Sequence, residues 1–292
     1  MTSTLTVRTH DGRALRVVEG GDRSGWPIIV HHGTPMCGDH YPPAERYSRE
    51  HGIRLVGYDR PGYGESDPCP GRLVASVAGD VTTITDHLGI EKFSVWGHSG
   101  GGPHALACAA MLPGRVASAV ASASVTPFAA KGLDWMAGMG EGNLREFGAA
   151  VEGREALERY LTPEWEAMRA EKVSDDLSSL LSKEDFELLT GELGQYMAAS
   201  MHFALEKSME GWVEDDLAFL VDWGFDLANV EVPTSIWHGK LDRFVPYAHG
   251  VWLSDHVPRS ELHSFDQETH LTLVDRRFPE IARWLKDRAR GR

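Results

Sequence analysis

The stretch Gly97-His98-Ser99-Gly100-Gly101 constrains this chain more than any other. It follows an apolar run, Phe93 to Trp96, that reads as a buried strand. It precedes Gly102-Pro103-His104-Ala105-Leu106-Ala107-Cys108-Ala109-Ala110, a small-residue run that reads as a helix. A strand, then G-x-S-x-G, then a helix is the context of a nucleophile elbow. The flanking glycines permit a turn too tight for a Cβ and lift the serine hydroxyl out of the sheet edge. On that reading Ser99 attacks a carbonyl carbon. Glycine supplies 31 of the 292 residues, so roughly 0.1 to 0.3 such pentapeptide matches are expected by chance in a chain this long. The weight therefore rests on partner segments elsewhere in the chain.

A serine nucleophile needs a base to take its proton and an acid to orient that base. In elbow-type enzymes these follow in the order Ser, Asp or Glu, His. After the strand-like run Thr234 to Trp237 comes His238-Gly239-Lys240-Leu241-Asp242. After the next run, Glu261 to Phe265, comes Gln267-Glu268-Thr269-His270. Both Asp242 and His270 are expected in loops past the carboxyl ends of their strands, where sites gather in open α/β sheets. The loop after the strand near residues 116–125, Ser124-Val125-Thr126-Pro127, holds no rival carboxylate. Among the other histidines, His98 is expected to point away from Ser99, and His104 to pack within its helix. His32-Gly33-Thr34-Pro35 follows the apolar run Pro27 to His31. There the backbone N–H of Thr34, with that of Gly100, is expected to hold the oxygen of a tetrahedral intermediate. Gly33 would permit the close approach, with His32 as loop support.

The rest of the chain alternates strands and helices. Leu5 to Arg8 and Ala14 to Val18 flank Asp11-Gly12 and read as a hairpin. Ile53 to Tyr58 reads as a strand, residues 40–51 and 76–88 as helices, and 277–290 as a closing helix. The alternation predicts a mostly parallel sheet. It stops near Pro127. From about 129 to 226 the pattern is helical only. Thr162-Pro163-Glu164 and Ser182-Lys183-Glu184-Asp185 read as helix starts. A third helix is expected through Tyr196, Met197, Met201, Leu205 and Met209, and a fourth through Trp212, Leu217, Leu220 and Val221.

Together, His32 to Pro35, Asp59-Arg60-Pro61-Gly62-Tyr63-Gly64-Glu65-Ser66, the Ser99 elbow, Asp242 and His270 resemble the α/β-hydrolase superfamily. The likeness is to its capped branch of esterases, proline iminopeptidases and C–C hydrolases. It implies a mostly parallel eight-stranded sheet with helices on both faces and an inserted all-helical cap. Residues 1–128 and 227–292 would form the core and 129–226 the cap. It implies a cofactor-free serine hydrolase with no metal, catalytic residues Ser99, Asp242 and His270, and an oxyanion hole of Thr34 and Gly100. The Asp59 to Ser66 loop would be structural support. Epoxide hydrolases and haloalkane dehalogenases share the frame but carry an aspartate nucleophile, and Ser99 at that position speaks against both. The expected reaction is hydrolysis of a small to medium, largely apolar ester or lactone. An iminopeptidase, whose cap carboxylates hold the substrate ammonium, a C–C hydrolase and a non-catalytic binding protein remain open.

Charge narrows the partners. The net charge is −14, which opposes nucleic-acid binding. Residues 129–226 hold 22 Asp and Glu against 8 Lys and Arg, so they carry the whole excess. That should disfavour polyanionic substrates such as nucleotides or coenzyme-A thioesters. Six of the nine methionines lie in the same segment, where some would line a pocket. No apolar run reaches the length of a membrane span, and the first residues lack signal-peptide features. Cys37, Cys69 and Cys108 have no metal spacing and read as reduced thiols of a cytoplasmic protein. The expected partner is a small-molecule substrate, with a homodimer left open.

Overall fold

The computed structural model describes residues 2–170 and 175–291. Eight strands form one sheet: β1 (Ser3–Arg8), β2 (Ala14–Gly21), β3 (Trp26–His31), β4 (Ile53–Tyr58), β5 (Phe93–His98), β6 (Val116–Ser122), β7 (Thr234–Gly239) and β8 (Ser260–Phe265). Their spatial order is β1-β2-β4-β3-β5-β6-β7-β8. Only the β1–β2 and β2–β4 pairs are antiparallel. The parallel strands are apolar at consecutive positions because both sheet faces are covered. Ile29, Val95 and Ala121 pack on one face, and Ile28, Trp96 and Val120 on the other.

Helices α2 (Val77–His87), α3 (Gly102–Met111) and α10 (Tyr247–His256) cover the first face, and α1 (Pro42–Glu50) and α11 (His270–Ala289) the second. After β3 the chain adds β4 on one side, then crosses to place β5 on the other. The loops after β3 and β5 therefore diverge from adjacent strand ends, which opens a crevice at that switch point.

Between β6 and β7 run α4 (Glu141–Glu152), α5 (Arg154–Arg169), α6 (Asp175–Leu180), α7 (Lys183–Leu189), α8 (Glu192–Leu205) and α9 (Glu210–Leu220). Leu157, Leu161, Leu205, Trp212 and Val213 of this segment pack with Cys37 and Tyr63 of the sheet domain.

Several local expectations need correction. Thr162 and Pro163 do not start a helix; Pro163 lies inside α5. The helix begins after Gly153, whose φ of +113° breaks it from α4. Leu157, Leu161, Trp165 and Met168 recur at helical spacing on both sides of Pro163 and share one apolar cluster. Packing thus carries the helix through the proline. Ser182 does start α7, with its hydroxyl accepting from Asp185 N and Asp185 reaching back to Ser182 N. Met209 and Val221 flank α9 rather than lying within the expected helices. The closing helix starts at His270, seven residues before the expected position, because Thr269 and Thr272 cap it reciprocally.

Candidate active site

Ser99 directly follows β5 with φ +55°, a left-handed conformation that costs a non-glycine residue about 1 kcal/mol or more. The turn is held by close backbone approach. A methyl group on Gly97 would collide with the Gly101 carbonyl, and one on Gly101 with the His31 carbonyl. The elbow thus requires glycine at these positions for space, and the serine hydroxyl is pushed off the end of the sheet.

The β3 loop lies alongside. A methyl on Gly33 would sit 3.5 Å from Ser99 Cβ, and one on Gly100 would collide with Thr34 Oγ1. The fold therefore brings Gly33, Thr34, Ser99 and Gly100 together. His32 Nε2 accepts from Arg60 N at 3.1 Å, so its Nδ1–H donates to Gly33 O at 2.8 Å. Burial, reinforced by the Arg60 cation, holds the His32 pKa well below its ordinary value, and the ring is a neutral strut. His104, expected to pack within its helix, is buried and its Nδ1 lies 2.9 Å from the Gly100 carbonyl oxygen.

Asp242 follows β7 and His270 follows β8. His270 Nδ1 lies 2.8 Å from Asp242 Oδ2. Asp242 Oδ1 accepts from the N–H groups of Phe244 and Val245, each at 2.9 Å. His270 is the first residue of α11 rather than a loop residue. Its ring is sandwiched between Phe244, centroids 4.6 Å apart, and His98, at 4.7 Å. His98, expected to point away from the site, packs against His270 with Nδ1 3.2 Å from Ser122 Oγ. His238 is a second imidazole near Asp242, 3.6 Å from Oδ2. Its Nε2 lies 2.8 Å from Val245 O, and burial lowers its pKa.

Ser99, His270, Thr34 and Gly100 open onto a cavity of about 200 Å³. The helical segment closes it with Phe147, Met168, Met197, Met201 and Phe219. Met136 and Met139 instead pack into the main core. Two carboxyl groups, half-buried Glu146 and buried Asp216, also reach this wall. Trp212 Nε1 donates to Glu146 Oε1 at 2.7 Å, while Asp216 Oδ2 has no hydrogen-bond partner among the described residues. Burial raises both pKa values, and for Asp216 the neighbouring Glu146 charge adds to it. The pair therefore favours holding a proton.

Two more acids of the helical segment make contacts that the sequence did not announce, Asp215, which it did not single out, and Asp185, which it offered only as part of a helix start. Asp215 is fully buried between Arg60 and Arg72, and Asp185 touches the turn that bears His270. The available signal was the run Glu214-Asp215-Asp216 inside an apolar helix that is buried on nearly every side; such charges must find partners. The Asp59 to Ser66 loop follows β4 and is tied down by its first residue. Asp59 accepts from Gly38 N and Glu65 N and pairs with Arg16. Among the described residues, no group of three or more His, Cys, Asp or Glu side chains could hold a metal ion. No helix among them is long and apolar enough to cross a membrane.

Comparison with known proteins agrees with this architecture. Residues 27–276 match the family model described as the alpha/beta hydrolase fold. A non-heme chloroperoxidase of Streptomyces lividans is 31% identical over 245 residues, covering 83% of this chain and 84% of the relative. A 2-hydroxy-6-oxononadienedioate/2-hydroxy-6-oxononatrienedioate hydrolase of Pseudomonas putida is 30% identical over 227 residues, covering 75% of this chain and 71% of the relative. The solved structure of a thermophilic esterase from Thermogutta terrifontis superposes with a TM-score of 0.70 at 20% identity, covering 98% of this chain and 99% of that one. The chain belongs to the α/β-hydrolase family.

Proposed function

We propose that this α/β-hydrolase is a serine hydrolase that cleaves a small to medium, largely apolar carboxylic ester or lactone through an acyl-enzyme. The observation that carries the reading is the convergence of three features on one cavity. They are a serine in a left-handed elbow, an imidazole anchored through Nδ1 to a buried carboxylate, and the Thr34–Gly100 contact beside Ser99. With Nδ1–H committed to Asp242, His270 Nε2 is the basic nitrogen. It takes the Ser99 proton as Oγ attacks the carbonyl carbon. The N–H groups of Thr34 and Gly100 hold the oxyanion. The imidazolium, stabilised by Asp242, then protonates the leaving alcohol. Water enters, His270 takes its proton, and the second tetrahedral intermediate releases the acid and restores Ser99.

Residues 129–226 serve in this reading as a cap whose apolar underside selects the substrate. The Ser99→Ala variant should fold normally, lose hydrolysis of a short p-nitrophenyl ester, and escape labelling by a fluorophosphonate. Near-normal turnover in that variant would overturn the assignment. An assay with hydrogen peroxide and halide separates it from the activity named for the Streptomyces relative.

The Glu146–Asp216 pair favours a second reading, in which the substrate carries an ammonium group and the enzyme is an aminopeptidase. A panel of aminoacyl β-naphthylamides against simple esters distinguishes the two. A C–C bond hydrolase with the same residues would show itself by turnover of a diketone that neither panel contains.

A further inference from the structure

We infer that the helical segment supplies two buried positioning residues, Asp215 for the oxyanion loop and Asp185 for the turn that carries His270. The inference rests on the roles proposed above for Thr34 and His270.

Asp215 lies in α9, yet among the described residues every donor it binds through its side chain belongs to the sheet domain. Oδ2 accepts from Thr34 Oγ1 at 2.6 Å, from Tyr63 Oη at 2.8 Å and from Arg60 Nη2 at 2.5 Å. Oδ1 accepts from Arg60 Nε at 3.2 Å and Arg72 Nη2 at 2.5 Å. Burial alone would raise its pKa, but Arg60 and Arg72 hold it well below the ordinary range, so the carboxylate is charged. Arg60 Nη1 also donates to the His32 carbonyl at 2.5 Å. Both sides of Gly33 are thus tied to one carboxylate: Thr34 directly, and His32 through Arg60. A turn built on glycine has wide conformational freedom, and this grip removes it. It also seats the Thr34 hydroxyl against Gly100, which sets the spacing between the two proposed oxyanion donors.

Asp185 does the same for the base. It is buried in α7, and its Oδ1 accepts from Thr269 Oγ1 at 2.5 Å and from Leu271 N at 3.3 Å. Those residues bracket His270. Its Oδ2 is anchored by Ser182 N at 3.0 Å. The segment between β6 and β7 is therefore part of the catalytic geometry as well as a cover over the cavity. Displacing it would release the oxyanion loop and the base together.

Paired variants separate positioning from general stability. Thr34→Val and Tyr63→Phe each remove one hydroxyl donor from Asp215 Oδ2, but only Thr34 lies on the loop. With a p-nitrophenyl ester, Thr34→Val should lower kcat by about ten- to a hundredfold, leave KM within about twofold, and be rescued by Thr34→Ser. Tyr63→Phe should lower Tm and leave kcat within about twofold. Likewise Asp185→Asn should lower kcat by about tenfold at unchanged KM. Ser182→Ala, which loosens the start of the same helix without touching Thr269, should lower Tm alone. Wild-type kcat in Thr34→Val, or an equal loss in Tyr63→Phe, overturns the Asp215 role. The same outcomes in Asp185→Asn and Ser182→Ala overturn the Asp185 role. A wild-type enzyme inert to both ester and fluorophosphonate overturns the hydrolase reading along with it.

Discussion

Asp242 divides its two carboxylate oxygens between His270 and the backbone. Oδ2 is 2.8 Å from His270 Nδ1, and Oδ1 takes the N–H groups of Phe244 and Val245. The backbone donors fix which oxygen faces the imidazole. An asparagine here would keep its carbonyl oxygen on those N–H groups and turn its NH₂ toward Nδ1. His270 would then carry its proton on Nε2, the wrong tautomer to accept from Ser99. Asp242→Asn should reduce kcat by about 10⁴ with the fold intact. Steady-state kinetics beside a circular dichroism melt checks both halves; a loss below about tenfold would place the orienting acid elsewhere.

Gly97 tests the elbow as a packing problem. Its added methyl in Gly97→Ala would meet the Gly101 carbonyl, which belongs to a backbone that cannot swing aside. Overpacking of this kind costs about 1–3 kcal/mol, which for a domain of this size lowers Tm by roughly 2–12 °C. Ester turnover should fall with it, because relief of the clash requires the Ser99 turn to open. Calorimetry and an activity assay at a temperature well below the transition would separate the two effects.

The Glu146–Asp216 pair predicts a pH dependence of stability. A carboxyl whose folded pKa is raised binds its proton in the folded chain where the unfolded chain has already released it. Its contribution is most favourable below the ordinary carboxyl range and is lost as pH rises through the raised folded value. Glu164, Asp176 and Asp215 add to the repulsion around the pair, which Arg72 and the Trp212 N–H only partly offset. Asp216→Asn removes one titrating group and leaves an amide that can donate to Glu146. The variant should melt higher than wild type at alkaline pH and show a flatter Tm-versus-pH curve. Parallel curves for the two proteins would refute the raised pKa values of the pair.

Pro163 lies inside α5 between Leu161 and Trp165, which are held by apolar packing. The proline lacks the N–H that would reach the Arg159 carbonyl, and its ring crowds that oxygen. Pro163→Ala should therefore stabilise the protein by about 1 kcal/mol or more, read as a rise in Tm with unchanged kcat. A fall in Tm would mean that proline's restriction of the unfolded chain outweighs the strain.

Much of the sheet could be read from runs of four to eight apolar residues bounded by turn chemistry, and the Asp11-Gly12 hairpin from its dipeptide alone. These signals are local, so the sequence carries them openly. The Ser99 elbow belongs with them, because the glycines that permit the turn lie beside the serine. Chain order then singled out Asp242 and His270. Helix boundaries were less legible. The Thr269–Thr272 cap moves the start of α11 onto His270, and the Leu157–Leu161–Trp165–Met168 face overrides a proline that reads as a helix start. In both cases a side-chain bond or a buried face outweighed the residue-type signal.

The sequence by itself determined the sheet, the elbow, the order of the candidate catalytic groups and the concentration of negative charge between residues 129 and 226. It could not say that this charge is partly internal. Asp215 meets Thr34 across 181 positions of chain, and Asp185 meets Thr269 across 84. Neither contact has a periodicity or a turn motif to announce it. A buried carboxylate needs donors, but composition does not say which ones; only the packing of helices onto the sheet selects them. That packing placed part of the segment's negative charge against Thr34 and against the turn around His270.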